Sequence, residues 1–90
     1  MIESDCSVRV RILQVLGAVA PEAPTEHLRE AVPFRDQFAF DSVDFLTFAI
    51  QLQQAFSLSI PEEDFPRLAT LQSCVEYISA RYSPPQPLPL

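Results

Sequence analysis

The sequence predicts an all-α protein with four helices, and three observations support this prediction. Apolar residues recur at spacings of three and four along several segments, as they do on one face of a helix. Gly17 is the only glycine among 90 residues, and tight β-hairpins usually need glycine in their turns. The nine prolines fall between the apolar segments and near the end of the sequence. This distribution is typical of helices that are separated by proline-marked loops.

A long connection is expected between the first two of the four helices, which are predicted at residues 5–20, 42–57, 62–66 and 70–82. The first helix has one apolar face and stops at Pro21. The second has the strongest apolar stripe, which we expect Leu46 and Ile50 to widen. Asp41 is its predicted N-cap, and Asp44 in the first turn complements the helix dipole.

Two prolines and a threonine predict the ends of the third helix and the start of the fourth. Pro61 suits the first position of a short helix, and Pro66 is expected to end it because the residue before a proline disfavours helical backbone. Thr70 is the predicted cap of the last helix. The connection at 21–41 carries several large apolar side chains, so we expect it to lie on the core, with a helical turn near residues 26–31.

The length indicates one small domain, which we place at residues 1–82. Residues 83–90 contain four prolines, and we expect a disordered tail there. A chain of this size buries only about 60% of its unfolded surface, which leaves little room for a deep catalytic cleft beside a core.

The charge balance bears on the kind of partner. The formal net charge is −6, from twelve acids and six bases. This balance argues against nucleic acid, which is bound mainly through basic patches. It favours basic protein partners, and we expect the chain itself to be a monomer.

Other features of the sequence concern location and metals. No apolar run approaches the roughly 18 residues of a membrane span. Glu3 and Asp5 make the leading segment acidic, which is unlike a secretory signal, so we expect a cytoplasmic protein. Cys6 and Cys74 are too far apart for zinc-ligand spacing, and both are expected to be ordinary free thiols or small buried apolar residues.

Ser42 is the candidate functional residue. It stands at the start of the best helix, directly after the acidic cap. Its hydroxyl is expected in solvent beside backbone N–H groups that lack a helical partner, where the helix dipole favours a phosphodiester. An Asp-Ser pair at a helix start is, however, also typical of an ordinary structural cap.

Residues 34–78 resemble the acyl carrier proteins without a gap. The attachment motif of that family is Asp-Ser-Leu-Asp, and this sequence has Asp41-Ser42-Val43-Asp44. Phe34 stands where the family often has a core aromatic, and Ile60-Pro61-Glu62-Glu63 resembles the opening of its third helix. Matches in the core of the second helix and in the last helix are Leu52, Phe56, Thr70, Gln72, Tyr77 and Ile78.

The resemblance implies a four-helix acyl-carrier-like bundle that is not an enzyme. A phosphopantetheinyl transferase would attach 4′-phosphopantetheine to Ser42, using coenzyme A and magnesium. The thiol of that arm would carry acyl intermediates as thioesters to acyl-activating, acyl-transferring or condensing enzymes. Fatty-acid, lipid or polyketide-type biosynthesis would be the setting, and the helices could shelter the acyl chain. The residues expected to contact partners are Asp41, Val43, Asp44, Phe45, Ile50, Glu62 and Glu63.

Two departures from the family pattern stand out. The family often has Leu-Gly where this sequence has Phe38-Ala39, and alanine tolerates fewer backbone conformations. The second helix, usually rich in glutamate, has no charge after Asp44. We therefore expect a specialised carrier with dedicated partners and a more apolar docking surface.

The sequence predicts different locations for two phenylalanines of the second helix. Phe48 is expected in the core. Phe45 takes a position that is commonly polar in the family. The sequence leaves open whether Phe45 lies in the core, lines an acyl pocket or is an exposed docking residue.

Three other functions are alternatives for this sequence. A hydrolase would need a base for Ser42, but His27 is the only histidine and no Gly-x-Ser-x-Gly elbow is present. A carrier of aminoacyl or peptidyl cargo remains an alternative, although Asp41 before the serine favours acyl cargo. An unmodified interaction module with the carrier fold is the third.

Overall fold

The computed structural model describes residues 5–82, and the predicted tail at 83–90 lies outside the described residues. Within that range every regular element is helical, which confirms the all-α fold class. Three α-helices and two 3-10 helices follow one another: α1 at Asp5–Val19, η1 at Phe34–Asp36, α2 at Ser42–Phe56, η2 at Glu62–Leu68 and α3 at Leu71–Arg81.

The core lies between the apolar faces of the three α-helices. Val8, Ile12 and Leu16 of α1 are buried, as the spacing of three and four predicts. From α2 and α3 the buried residues are Phe48, Ala49, Leu52, Phe56, Leu71, Cys74, Val75, Tyr77 and Ile78. Burial raises the pKa of the Cys74 thiol to about 12, so this thiol stays protonated and unreactive at neutral pH.

The long connection is held against the core, as its apolar content predicts. The Phe34 N–H donates to the Ala69 carbonyl at 2.9 Å, and the Gln72 N–H donates to the Glu30 carbonyl at 2.9 Å. The Gln37 side chain accepts from the Arg29 N–H and donates to the Arg29 carbonyl, both at 2.8 Å. The connection is therefore an ordered part of the domain.

An ion pair fixes the connection to α1 as well. The Arg9 guanidinium contacts the Glu30 carboxylate. This contact holds the pKa of Glu30 below its usual range. Both groups are partly exposed to solvent, so the pair contributes modestly to stability.

Two details of the predicted secondary structure are wrong. The helical turn predicted at residues 26–31 is instead the 3-10 turn at Phe34–Asp36, because Phe34 is the side chain that is buried. The third helix does not end at Pro66 but continues to Leu68. A 3-10 helix accommodates the fixed φ of proline, and Leu68 gains full burial there.

A polar contact joins η2 to α3. The Tyr77 hydroxyl donates to Asp64 Oδ2 at 2.7 Å, and Arg81 Nη2 lies 3.6 Å from the same oxygen. The Arg81 guanidinium also stacks over the Tyr77 ring, 4.2 Å from its centroid. Burial and the hydrogen bond to Asp64 raise the pKa of Tyr77. This contact anchors η2, which has a single buried residue of its own.

Candidate functional site

The start of α2 is fixed by a reciprocal cap. Asp41 has extended backbone (φ −90°, ψ −175°) and ends the connection. Its Oδ1 accepts from the Asp44 N–H at 2.9 Å, while Asp44 Oδ2 accepts from the Asp41 N–H at 3.4 Å. The two carboxylates together form a capping box. The predicted N-cap is thereby confirmed, and Ser42 becomes the first residue of α2.

Ser42 is exposed at this position. As the first helical residue it lies among the backbone N–H groups that have no partner within the helix. The dipole of the 15-residue helix places partial positive charge at the same end. A negatively charged group bonded to this hydroxyl is therefore favoured electrostatically.

Phenylalanine rings surround the base of the site. The buried Phe34 ring meets the rings of Phe40 and Phe48 edge to face, with centroids 5.7 and 5.6 Å apart. Phe45 meets Phe40 at 6.3 Å and Phe65 at 6.2 Å in the same manner. Such edge-to-face pairs add stability beyond area burial. They join the connection, the first turn of α2 and η2.

A cavity of about 360 Å³ opens beside Ser42, between η1, the start of α2 and the end of η2. We call it the Ser42 cavity. Its lining residues are Pro33, Phe34, Arg35, Phe40, Asp41, Ser42, Phe45, Pro66 and Ala69.

The structure places Phe45 at the edge of the core and beside the cavity. The residue is half-buried, packs on Phe40 and Phe65 and lines the Ser42 cavity. It is therefore a pocket-lining residue at the edge of the core. Phe48 is fully buried, which confirms its expected place in the core.

The side of α2 that faces solvent is apolar. Val43 is 70% exposed, Leu46 is 49% exposed and Ile50 is 45% exposed. Their spacing of three and four aligns them in one stripe along the helix, which we call the α2 stripe. The expectation that Leu46 and Ile50 widen the core stripe is wrong, because the helix turns both side chains to solvent. Leu46 was missed as a surface residue, and only its alignment with Val43 could have indicated it.

The remaining predicted contact residues lie at the starts of α2 and η2. Glu62 and Glu63 are exposed in the first turn of η2, and Asp44 is partly buried in the capping box. His27 is exposed on the connection and does not line the Ser42 cavity. The residues described by the structure include no cluster of three or more potential metal ligands. None of the described helices has the length and apolar character of a membrane span.

The Phe38-Ala39 departure causes no backbone strain. Among the residues that the structure describes, Ser57 alone combines a side chain with positive φ, at 53°. Ala39 therefore adopts ordinary backbone, and the entry to α2 does not require glycine.

Comparison with known proteins identifies the family. A sequence model described as the phosphopantetheine attachment site matches residues 7–78, from α1 to α3. The chain belongs to this family. It is also similar to an acyl carrier protein of Rubrobacter xylanophilus, with 27% identity over 73 residues that cover 78% of this chain and 90% of the relative. The resemblance to acyl carrier proteins is confirmed, and the match includes the first helix, which the motifs alone did not cover.

The prosthetic group of this family is 4′-phosphopantetheine, and the residues around Ser42 fit it. Ser42 is exposed. The adjoining cavity offers one cation, Arg35, together with apolar walls from proline and phenylalanine. A phosphodiester that continues into a branched hydrocarbon segment matches this combination of charge and apolar surface.

The capping box leads to a stability prediction. Asp41→Ala should lower the free energy of unfolding by about 1 kcal/mol, because the Asp44 N–H loses its acceptor. Urea denaturation followed by circular dichroism measures the change. Asp36→Ala is the control, since it removes the same charge from exposed η1 outside the box. Equal effects of the two substitutions would contradict the assigned cap.

Proposed function

We propose that this protein is an acyl carrier protein and that Ser42 Oγ is the attachment point of the arm. The observation that supports the proposal best is the position of Ser42: exposed, first in α2, and held there by the capping box. The attachment-site family match includes this position. The serine of the Asp41-Ser42-Val43-Asp44 motif is thus both the residue that resembles the family's serine and an accessible hydroxyl.

The chemistry at Ser42 is a phosphoryl transfer that the chain accepts but does not catalyse. The Ser42 oxygen forms a bond to the phosphorus of coenzyme A that carries the pantetheine, and the bond to 3′,5′-ADP breaks. The hydroxyl proton goes to a base of the transferase. When attached, the arm supplies a terminal thiol that holds an acyl group as a thioester. We assign all bond-making steps to partner enzymes, so the proposed role is carriage and not catalysis.

Partner recognition is proposed for the α2 stripe. Val43, Leu46 and Ile50 are exposed and uncharged, and α2 has no charged residue after Asp44. A partner that binds this helix gains affinity from apolar contact more than from ion pairs. Asp41 and Asp44 add negative charge beside Ser42, and Glu62 and Glu63 are exposed at the start of η2. These acids suit basic residues on a partner. This combination supports a specialised carrier with dedicated partners.

The cargo is proposed to be an acyl intermediate of fatty-acid, lipid or polyketide-type biosynthesis, handled in the cytoplasm. Asp41 directly before the serine supports acyl cargo over aminoacyl or peptidyl cargo. The unmodified interaction module is the second candidate function. Its supporting observation is the α2 stripe, which could bind a partner without any arm.

The attachment proposal predicts a mass change that depends on one hydroxyl. Incubation with a broad-specificity phosphopantetheinyl transferase and coenzyme A should add one phosphopantetheine to the parent and none to Ser42→Ala. Ser59→Ala is the matched control, because it alters another exposed serine and should be modified fully. Intact-mass spectrometry measures the mass of the protein in all three samples. Modification of Ser42→Ala would exclude Ser42 as the attachment point.

A parent chain that folds but stays unmodified under these conditions would mean either that it needs a dedicated transferase or that it is the unmodified interaction module. Mass analysis of protein purified from its native cells would distinguish these two. Circular dichroism of each sample establishes that the chain is folded before the mass is compared.

The docking proposal predicts a slower reaction with the transferase. Leu46→Glu should lower kcat/KM for modification about tenfold, because burial of one such side chain contributes about 1.5 kcal/mol or more. Val10→Glu is the control, since Val10 is 50% exposed on α1 and should leave the rate unchanged. A rate that falls equally in both variants, or in neither, would contradict docking on the α2 stripe.

A further inference from the structure

We propose that the Ser42 cavity binds the inner half of the phosphopantetheine arm, with the phosphodiester near Arg35 and the dimethyl-bearing pantoyl group against Phe40 and Phe45. The inference rests on the proposed attachment at Ser42. It assigns a binding function to residues outside the attachment motif.

The position of Ser42 in the lining is the first argument. Because Ser42 itself lines the cavity, any group on its Oγ begins at the cavity wall. The volume of about 360 Å³ lies within the range of roughly 300–1,000 Å³ that is typical of small-molecule pockets. The cavity therefore has room for the inner half of the arm.

Charge around the cavity is the second argument. A phosphodiester carries one negative charge at every physiological pH, and the Asp41 and Asp44 carboxylates stand at the same helix start. Asp41 also lines the cavity, whereas Asp44 does not. Arg35 is the one basic residue among the lining residues, and guanidinium groups suit phosphate oxygens. A phosphodiester on Ser42 is therefore repelled by Asp41 and attracted by Arg35, and we expect it on the Arg35 side of the cavity.

The apolar walls are the third argument. Phe34, Phe40 and Phe45 contribute rings to the lining, and Pro33 and Pro66 contribute further apolar surface. Phe45 is already held at its edge by contacts with Phe40 and Phe65, so this wall exists before the arm arrives. The two geminal methyl groups are the most apolar part of the inner arm. Their removal from water against preformed rings favours the bound position.

Binding of the inner half has a consequence for delivery. The outer half, with the thiol and its acyl group, remains outside the cavity and free to enter a partner enzyme. Arg35 and Phe45 would then act on the arm's orientation and not on its attachment. Loss of either residue is expected to leave modification by the transferase intact while the arm becomes mobile.

The test is nuclear magnetic resonance of the unacylated holo-protein. The two pantoyl methyl groups should give separate signals, shifted from those of free pantetheine, with nuclear Overhauser effects to the Phe40 and Phe45 rings. In Phe45→Leu the ring-current shift of the methyl signals should be lost. Tyr82→Leu should keep it, because Tyr82 is also a half-buried aromatic residue but packs on Phe56 and does not line the cavity.

Charge is tested by a second pair of variants. Arg35→Gln should weaken the Overhauser effects and move the methyl signals toward the free positions. Arg29→Gln removes the same charge from an exposed site on the connection outside the lining and should change nothing. Both residues are exposed, so this pair remains readable even if Phe45→Leu does not fold.

Three results would overturn the inference: methyl signals at the free positions in the parent holo-protein, equal changes in variant and control, or contacts that appear only after acylation. The last result would mean that the cavity binds cargo. Intact mass of every sample shows separately whether Ser42 carries the arm, so failure of attachment and failure of binding are distinguishable.

Discussion

The burial of one aromatic ring, that of Phe34, is the constraint on which this structure depends. The side chain is only 1% exposed, although it belongs to a connection and not to an α-helix. Its ring contacts the rings of Phe38, Phe40 and Phe48. Its N–H donates to the Ala69 carbonyl, at the junction of η2 and α3. A single residue thus joins the connection to α2 through its side chain and to α3 through its backbone.

The position of Ser42 follows from this constraint. Phe40 packs on Phe34, and the next residue, Asp41, turns the chain into α2 through the capping box. Because Phe48 lies beneath the same ring, the rotation of α2 about its axis is also set. That rotation buries Leu52 and Phe56 and leaves the α2 stripe in solvent. The position of Ser42, the proposed attachment residue, and the proposed docking surface are therefore two results of one packing arrangement.

The three α-helices could be predicted from the sequence to within one residue at each end. Their signals are local: the apolar period, the caps Asp41 and Thr70, and the prolines that end or begin segments. The helix start at Ser42 could be predicted for the same reason, because its cap and its motif are both short-range features. The Thr70 side chain indeed accepts from the Ser73 N–H.

What the sequence could not predict depends on contacts between distant segments. Leu46 is as apolar as the buried residues of α2, so composition alone assigns it to the core; the packing of α2 on its neighbours turns it outward. The 3-10 turn at η1 forms where Phe34 is buried, which no local pattern specifies. The Ser42 cavity is lined by residues from three separate stretches of chain, and its existence follows only from their assembly.

The central claim is that this chain carries an arm on Ser42, and the most direct test is made on protein isolated from the cells that produce it naturally. Intact-mass spectrometry, followed by fragmentation of the peptide that contains Asp41 and Ser42, is the measurement. The account predicts a 4′-phosphopantetheine group, with or without an acyl thioester, on Ser42 and on no other residue. Folded protein from these cells that lacks the group, or that bears it on another residue, would contradict the account.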